Sequence, residues 1–122
     1  MPWTVILTPE FADWFLAEPE AIRDRINVSL RLIRDFGPAL GRPHVDTLKS
    51  STVANLKELR VSVGGLPYRV LFAFDTVRRA VLLCGGDKTG DKRFYRRMIP
   101  VAEAAFERHA ERLKKLQDEG RA

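Results

Sequence analysis

Residues 85–98, GGDKTGDKRFYRRM, hold the chain's densest chemistry: Lys88, Lys92, Arg93, Arg96 and Arg97 against Asp87 and Asp91, with Phe94 and Tyr95 among them. Cations beside aromatic rings suit a ligand that is anionic in one part and planar in another. A phosphate loop is the first test. That signature needs a glycine, four residues, a second glycine, then a lysine and a hydroxyl residue. Gly85 and Gly90 are correctly spaced, but Asp91 stands where the phosphate lysine belongs and Lys92 where the hydroxyl belongs. Nucleotide binding by that device is excluded. Zinc chemistry is no better served, because one cysteine, Cys84, and two distant histidines, His44 and His109, offer no ligand spacing. Ser/His/Asp, Cys/His and paired-carboxylate arrangements have no local signature either. No metal or cofactor is expected.

Such a cluster can handle a phosphodiester. RNA brings its own nucleophile, the ribose 2′-hydroxyl. Cleavage then needs a base for that proton, an acid for the departing 5′-oxygen, and cations for the charge gathering on phosphorus. Lysine and arginine supply the last directly, and a lysine or tyrosine with a lowered pKa in a crowded cationic site supplies the base. The chemistry requires no metal. The plainer alternative is a solvated basic loop, or one that grips phosphates without cutting.

The distribution of charge supports an anionic polymer as partner. Residues 1–56 carry six Lys or Arg against seven acids, residues 57–99 ten against four, and residues 100–122 five against five. The whole positive excess lies in the middle third, and each phosphate neutralised there releases counterions. With 122 residues, 45% hydrophobic and 30% charged, the chain fits one compact domain over 1–122. No apolar run approaches the roughly 20 residues that span a bilayer, and MPWTVILTPEF lacks the basic start of a secretory signal. A lone cysteine rules out an internal disulfide and fits a reducing cytoplasm; Cys84 reads as a small buried hydrophobe.

The elements that must position the cations follow from periodicity. WTVIL is a short strand; Thr8 caps and Pro9 opens a helix, and Pro19 interrupts it. Ile22, Ile26, Leu30 and Ile33 share one face of a second helix that Gly37 and Pro38 stop, so the two form a helical hairpin. GPALGRPHVDTLKSST reads as an irregular connector with His44 solvated. LKELRVSV and YRVLFAFD then pair across a four-residue turn, GGLP. That register sets Val63 against Tyr68, Val61 against Val70 and Leu59 against Phe72, and leaves Arg60 and Arg69 close together on the opposite face. AVLLC is apolar on both faces and therefore central. Residues 99–120 form a last helix with Ala102, Phe106, His109 or Ala110, Leu113 and Leu116 on its apolar stripe, His109 being structural. The fold class is α+β: an N-terminal helical hairpin on a small, mainly antiparallel sheet, plus a C-terminal helix.

As an ordered set, LKELRVSVGGLPYRVLFAFD, then AVLLCGGDKTGDKRFYRRMIPVAEAAFERH, with PEFADWFLAEPEA ahead of both, resembles the RelE superfamily of type II toxin–antitoxin toxins, in its phage-derived, HigB-like branch. The likeness covers nearly the whole chain and is most specific between Leu56 and His109. It implies a toxin that cleaves messenger RNA in the ribosomal decoding site and inhibits translation. Its partners would be ribosome, mRNA and a cognate antitoxin of helix-turn-helix type, with no membrane involved. Position by position, it implies Arg69 on the scissile phosphate, Lys88 as the basic residue ending the last core strand, and Tyr95 for stacking or proton transfer. Arg60 and Lys57 would be further cations on their strand, and Lys92, Arg93, Arg96 and Arg97 would hold RNA. Where many relatives have a Lys-Lys-Thr run followed by Thr-Pro, this chain has Asp87, Asp91 and RFYRRMIP, and no histidine stands in the cluster, so the base is unassigned. The superfamily also implies alternatives: a ParE-like gyrase inhibitor, or a degenerate RNA-binding toxin that acts with its antitoxin as a repressor.

Overall fold

The computed structural model describes residues 2–120. Strand β1 (Thr4–Leu7) leads into helices α1 (Pro9–Leu16) and α2 (Glu20–Phe36), and a short 3-10 helix follows at Gly37–Ala39. Then come β2 (Val45–Thr47), β3 (Lys57–Val63), β4 (Leu66–Phe74), β5 (Arg79–Asp87) and α3 (Phe94–Glu119). The strands form one sheet in the order β1-β5-β4-β3-β2, antiparallel at every pairing except β1 with β5. The expected α+β layering is present: the helical hairpin covers one face and α3 the other.

Thr8 carries out the capping read from its place before Pro9. Its hydroxyl accepts the Phe11 amide at 3.3 Å and donates to the Leu82 carbonyl at 2.7 Å, so one side chain caps α1 and ties it to β5. Ile22, Ile26 and Ile33 of α2 join Phe11 and Phe15 of α1 over Leu59, Val61, Val70, Phe72 and Leu82. On the other face Phe94, Ala102 and Ala105 of α3 pack on Leu71, Ala73, Val81 and Leu83. At about 1.5–3 kcal/mol for each large apolar side chain taken out of water, these two layers hold both faces of the sheet. β5, the strand read as central, is indeed flanked on both sides, by β1 and β4.

Four expectations are corrected. The connector before β3 contains a strand of its own, β2, which pairs Asp46 with Glu58. The β3–β4 hairpin closes on two residues rather than four: Gly64 and Gly65 take φ of 56° and 81°, the mirror-image turn whose twist matches paired strands. Leu66 and Pro67 therefore belong to β4, and the register moves by two residues: Val63 meets Leu66, Val61 meets Tyr68, and Arg60 lies directly opposite Arg69. An even shift preserves the faces, so the apolar set stays inside. Third, α3 begins at Phe94, which places Tyr95, Arg96 and Arg97 in its first turn and not in a loop. Fourth, the apolar stripe of α3 does not stay covered to its end: His109 is buried but Leu116 is 65% exposed.

Candidate functional site

A β-bulge decides which side chains share a face. Leu71 of β4 pairs with Cys84 of β5 and Phe72 with Leu82, so Leu83 is an extra residue in β5. Before the bulge, even-numbered residues of β5 (Ala80, Leu82) pack under the helical hairpin; after it, Cys84 packs under α3. The bulge thereby turns Gly86, opposite Arg69, toward α3. The GG pair at residues 85 and 86 serves packing. A Cβ on Gly85 would lie 2.5 Å from the Trp14 ring, and one on Gly86 would lie 3.0 Å from Phe94. Arg60, Arg69 and Gly86 thus form one cross-strand row, which the first turns of α3 cover at Gly86.

Two arginines facing each other across a ladder repel. The compensating charge is Glu58, on the same face two residues before Arg60 and 2% exposed. Its Oε1 accepts Arg60 Nε at 3.0 Å; its Oε2 accepts the Tyr95 hydroxyl and lies 3.8 Å from Arg69 Nε. That last separation is electrostatic contact without a hydrogen bond. Arg69 Nε is buried and has no hydrogen-bond partner among the described residues, although the same guanidinium donates to the Tyr68 carbonyl at 3.0 Å. Lys88 Nζ stands 5.4 Å from the centre of the Tyr95 ring. At the sheet edge Asp46 accepts Arg42 at 2.8 Å and Arg60 at 3.3 Å.

The charges set the protonation states. Burial, and then the Glu58 carboxylate, raise the Tyr95 pKa above the ordinary tyrosine range, while Arg69 nearby opposes them more weakly. This corrects the expectation of a tyrosine made basic by crowded cations: the carboxylate beneath it dominates. The Glu58 hydrogen bond comes first among the influences that raise the Arg60 pKa and keep it charged. Burial pushes the Cys84 thiol up to about 12, leaving an inert core residue as expected.

Of the residues singled out from sequence, Arg60, Arg69, Lys88 and Tyr95 come together, around a carboxylate that sequence reasoning missed. Lys57 does not join them. Strand alternation puts it on the face of Leu59, where its ammonium donates to Thr47 Oγ1 at 3.1 Å. Lys92 lines a cavity of about 510 Å³ with Lys88, Gly90, Asp91 and Tyr95. Arg96 lines a second cavity on the other side of Tyr95. Arg97 is engaged by Asp91 at 2.7 Å, and Asp91 also accepts the Arg93 amide at 3.0 Å, so this acid braces the start of α3. The Arg93 side chain is exposed. Glu58 had a signal: it sits in LKELR at the i−2 position from an arginine, on the face where the charged residues were placed. His109 is structural as read, with Nε2 3.0 Å from Asp75. His44 is exposed and lends its carbonyl to the Arg60 amide at 2.8 Å.

Comparison with known proteins agrees with this architecture. Residues 13–107 match the family described as phage derived protein Gp49-like. A protein of Mycobacterium tuberculosis named as toxin HigB3 is 44% identical over 104 residues, covering 84% of this chain and 90% of its own length. A second from that organism, named as toxin HigB2, is 41% identical over 83 residues, which are 66% of this chain and 41% of that longer protein. Among solved structures, a free mutant form of Escherichia coli toxin RelE superposes with a TM-score of 0.55 at 8% identity, over 77% of this chain and 92% of that one. The chain therefore belongs to the Gp49-like family of phage-derived proteins, with HigB-named relatives and the fold of RelE.

Proposed function

We propose that the chain is the toxin of a type II toxin–antitoxin pair and acts as an mRNA endoribonuclease on translating ribosomes. The observation that carries this reading is the convergence of Arg60, Arg69 and Tyr95 on the buried Glu58 carboxylate, with Lys88 beside the Tyr95 ring. A phosphodiester lying across this row brings a non-bridging oxygen to the Arg69 guanidinium, whose side chain is 15% exposed. Lys88 stands beside Tyr95 and shares the charge that develops on phosphorus.

The missing base is supplied by a relay. The Tyr95 oxygen takes the proton of the ribose 2′-hydroxyl as its own proton passes along the existing hydrogen bond to Glu58 Oε2. The 2′-oxygen then bonds to phosphorus, the 5′-oxygen leaves and is protonated by Lys88, and the product is a 2′,3′-cyclic phosphate. A high tyrosine pKa suits such a relay, because no free tyrosinate has to form. Lys92 and Arg96, exposed on either side of Tyr95, hold the RNA backbone. The partner expected to silence the protein is an antitoxin with an acidic or amphipathic segment that covers this basic surface.

Primer extension on cellular messages after brief induction tests the reading. Discrete cuts in translated frames are expected, and an Arg69→Ala chain that remains folded should lift both the cuts and the growth arrest. Intact messages with damaged DNA would instead point to a gyrase inhibitor. Intact messages and intact DNA would point to a toxin that only binds RNA.

A further inference from the structure

The second cavity beside Tyr95 has no part in the chemistry above. It measures about 510 Å³ and is lined by Leu48, Lys49, Ser50, Tyr95, Arg96, Ile99, Pro100 and Glu103. Its walls are the segment before β3 and the first three turns of α3. Leu48 and Ile99 are half-buried and pack into the core, so this floor is preformed rather than a gap between mobile side chains. The segment is strapped down by one carboxylate oxygen. Glu103 Oε2 accepts Ser51 Oγ at 3.0 Å, the Thr52 amide at 2.7 Å and Thr52 Oγ1 at 2.9 Å. Strap and helix are therefore held at a fixed spacing, with the exposed Lys49 and Arg96 on the rim.

We infer that this groove receives one unstacked nucleobase of the RNA chain whose neighbouring phosphodiester lies at Glu58, Arg69 and Tyr95. The inference rests on the ribonuclease reading and assigns it a second contact. The groove's chemistry selects the occupant. Its floor and sides are aliphatic and aromatic, as a base face requires, while a lysine and an arginine stand where that nucleotide's phosphate would emerge. Tyr95 is common to this groove and to the cavity containing Lys88 and Lys92, so a strand passing from one to the other crosses Tyr95, whose hydroxyl bonds Glu58. A paired base cannot present both faces to such a groove. The substrate is thus single-stranded at this point, and the base held in the groove sets which phosphodiester meets the cluster. Glu103, through the strap, is a positioning residue for that register.

Hexanucleotides with 2′-fluoro sugars lack the nucleophile and report binding alone, so fluorescence anisotropy can follow them on the intact chain. One base at a time is removed to leave an abasic sugar. One position is expected to weaken binding about tenfold when its base is removed, the size of a single stacking contact. Ser50→Trp fills the groove from the strap and should abolish that difference between intact and abasic strands. Pro100→Trp fills it from the helix wall and should do the same, which guards against a strap that fails to fold. Equal loss at every position, or none, with RNA still bound, would give the groove to an apolar side chain of a protein partner and overturn the assignment while leaving the nuclease reading in place. A base effect that survives both tryptophans would place the base elsewhere and also overturn it. Absence of RNA binding by the wild-type chain would overturn this inference; with cuts still found in cellular messages the nuclease reading stands, and without them it falls as well.

Discussion

Among the described residues, the sheet carries two carboxylates with buried side chains ringed by donors, Asp75 and Glu58, and they differ in one respect. Asp75, at the β4–β5 turn, accepts the amides of Val77 and Arg79, the Arg79 guanidinium at 2.9 Å and His109 at 3.0 Å. Burial alone would raise its pKa, but the His109 and Arg79 hydrogen bonds outweigh that and hold the carboxyl below its ordinary value. Every partner in this cluster is engaged, and His109 brings α3 down on it as a lid. Glu58 has a similar burial but two arginines beside it, Arg60 and Arg69, with Lys88 next to the Tyr95 ring, and the buried Arg69 Nε is without a hydrogen bond among the described residues. A saturated cluster fastens a helix to a turn. The other leaves a buried guanidinium nitrogen unsatisfied, 3.8 Å from a carboxylate oxygen.

That contrast can be broken at either end. Tyr95→Phe removes only the hydroxyl that donates to Glu58; cleavage of message in a translation extract should fall about 10²–10⁴-fold, the worth of a positioned proton-transfer group, with the fold intact. Arg69→Ala should cost about 10²–10³-fold in the same assay, the typical loss when one donor to a developing oxyanion is deleted. Asp75→Asn should leave cleavage by the folded chain unchanged while lowering unfolding free energy by about 3 kcal/mol, because it uncouples a buried charged group from its partners. Its pH dependence has a defined sign. A carboxyl whose folded pKa is depressed stabilises above the ordinary aspartate range and loses that contribution as pH falls through it. Chemical denaturation of the wild-type chain should therefore show an acid-induced loss that the Asp75→Asn chain lacks in part. Lys57→Ala, on the hairpin face, should change cleavage by less than about twofold, as expected of a surface side chain away from the chemistry.

Much of this was legible in the residues, for identifiable reasons. Alternation in LKELRVSV and YRVLFAFD fixed which face Arg60 and Arg69 share, because a shift of one residue would have buried both. The exact register was not legible, since GGLP and GG are both credible turns and only the positive φ of Gly64 and Gly65 distinguishes them. The bulge at Leu83 left no mark either: AVLLC is apolar on both faces, so a change of parity within it alters no pattern. Glu58 escaped notice because a carboxylate in a basic strand ordinarily reads as solvated charge. Its burial is created by Tyr95, which arrives from the first turn of α3, 37 residues along the chain. Reading residues 94–98 as loop concealed that geometry.

The ends of the cut RNA test the central claim most directly, because they record which oxygen attacked phosphorus. Analysis of fragments from message cleaved by the wild-type chain should find a 2′,3′-cyclic phosphate on one side and a 5′-hydroxyl on the other, with no cut where the sugar before the scissile phosphate is 2′-deoxy. A 3′-hydroxyl with a 5′-phosphate, or cleavage that persists at the deoxy position, would contradict a mechanism in which Tyr95 and Glu58 draw the proton from the ribose itself.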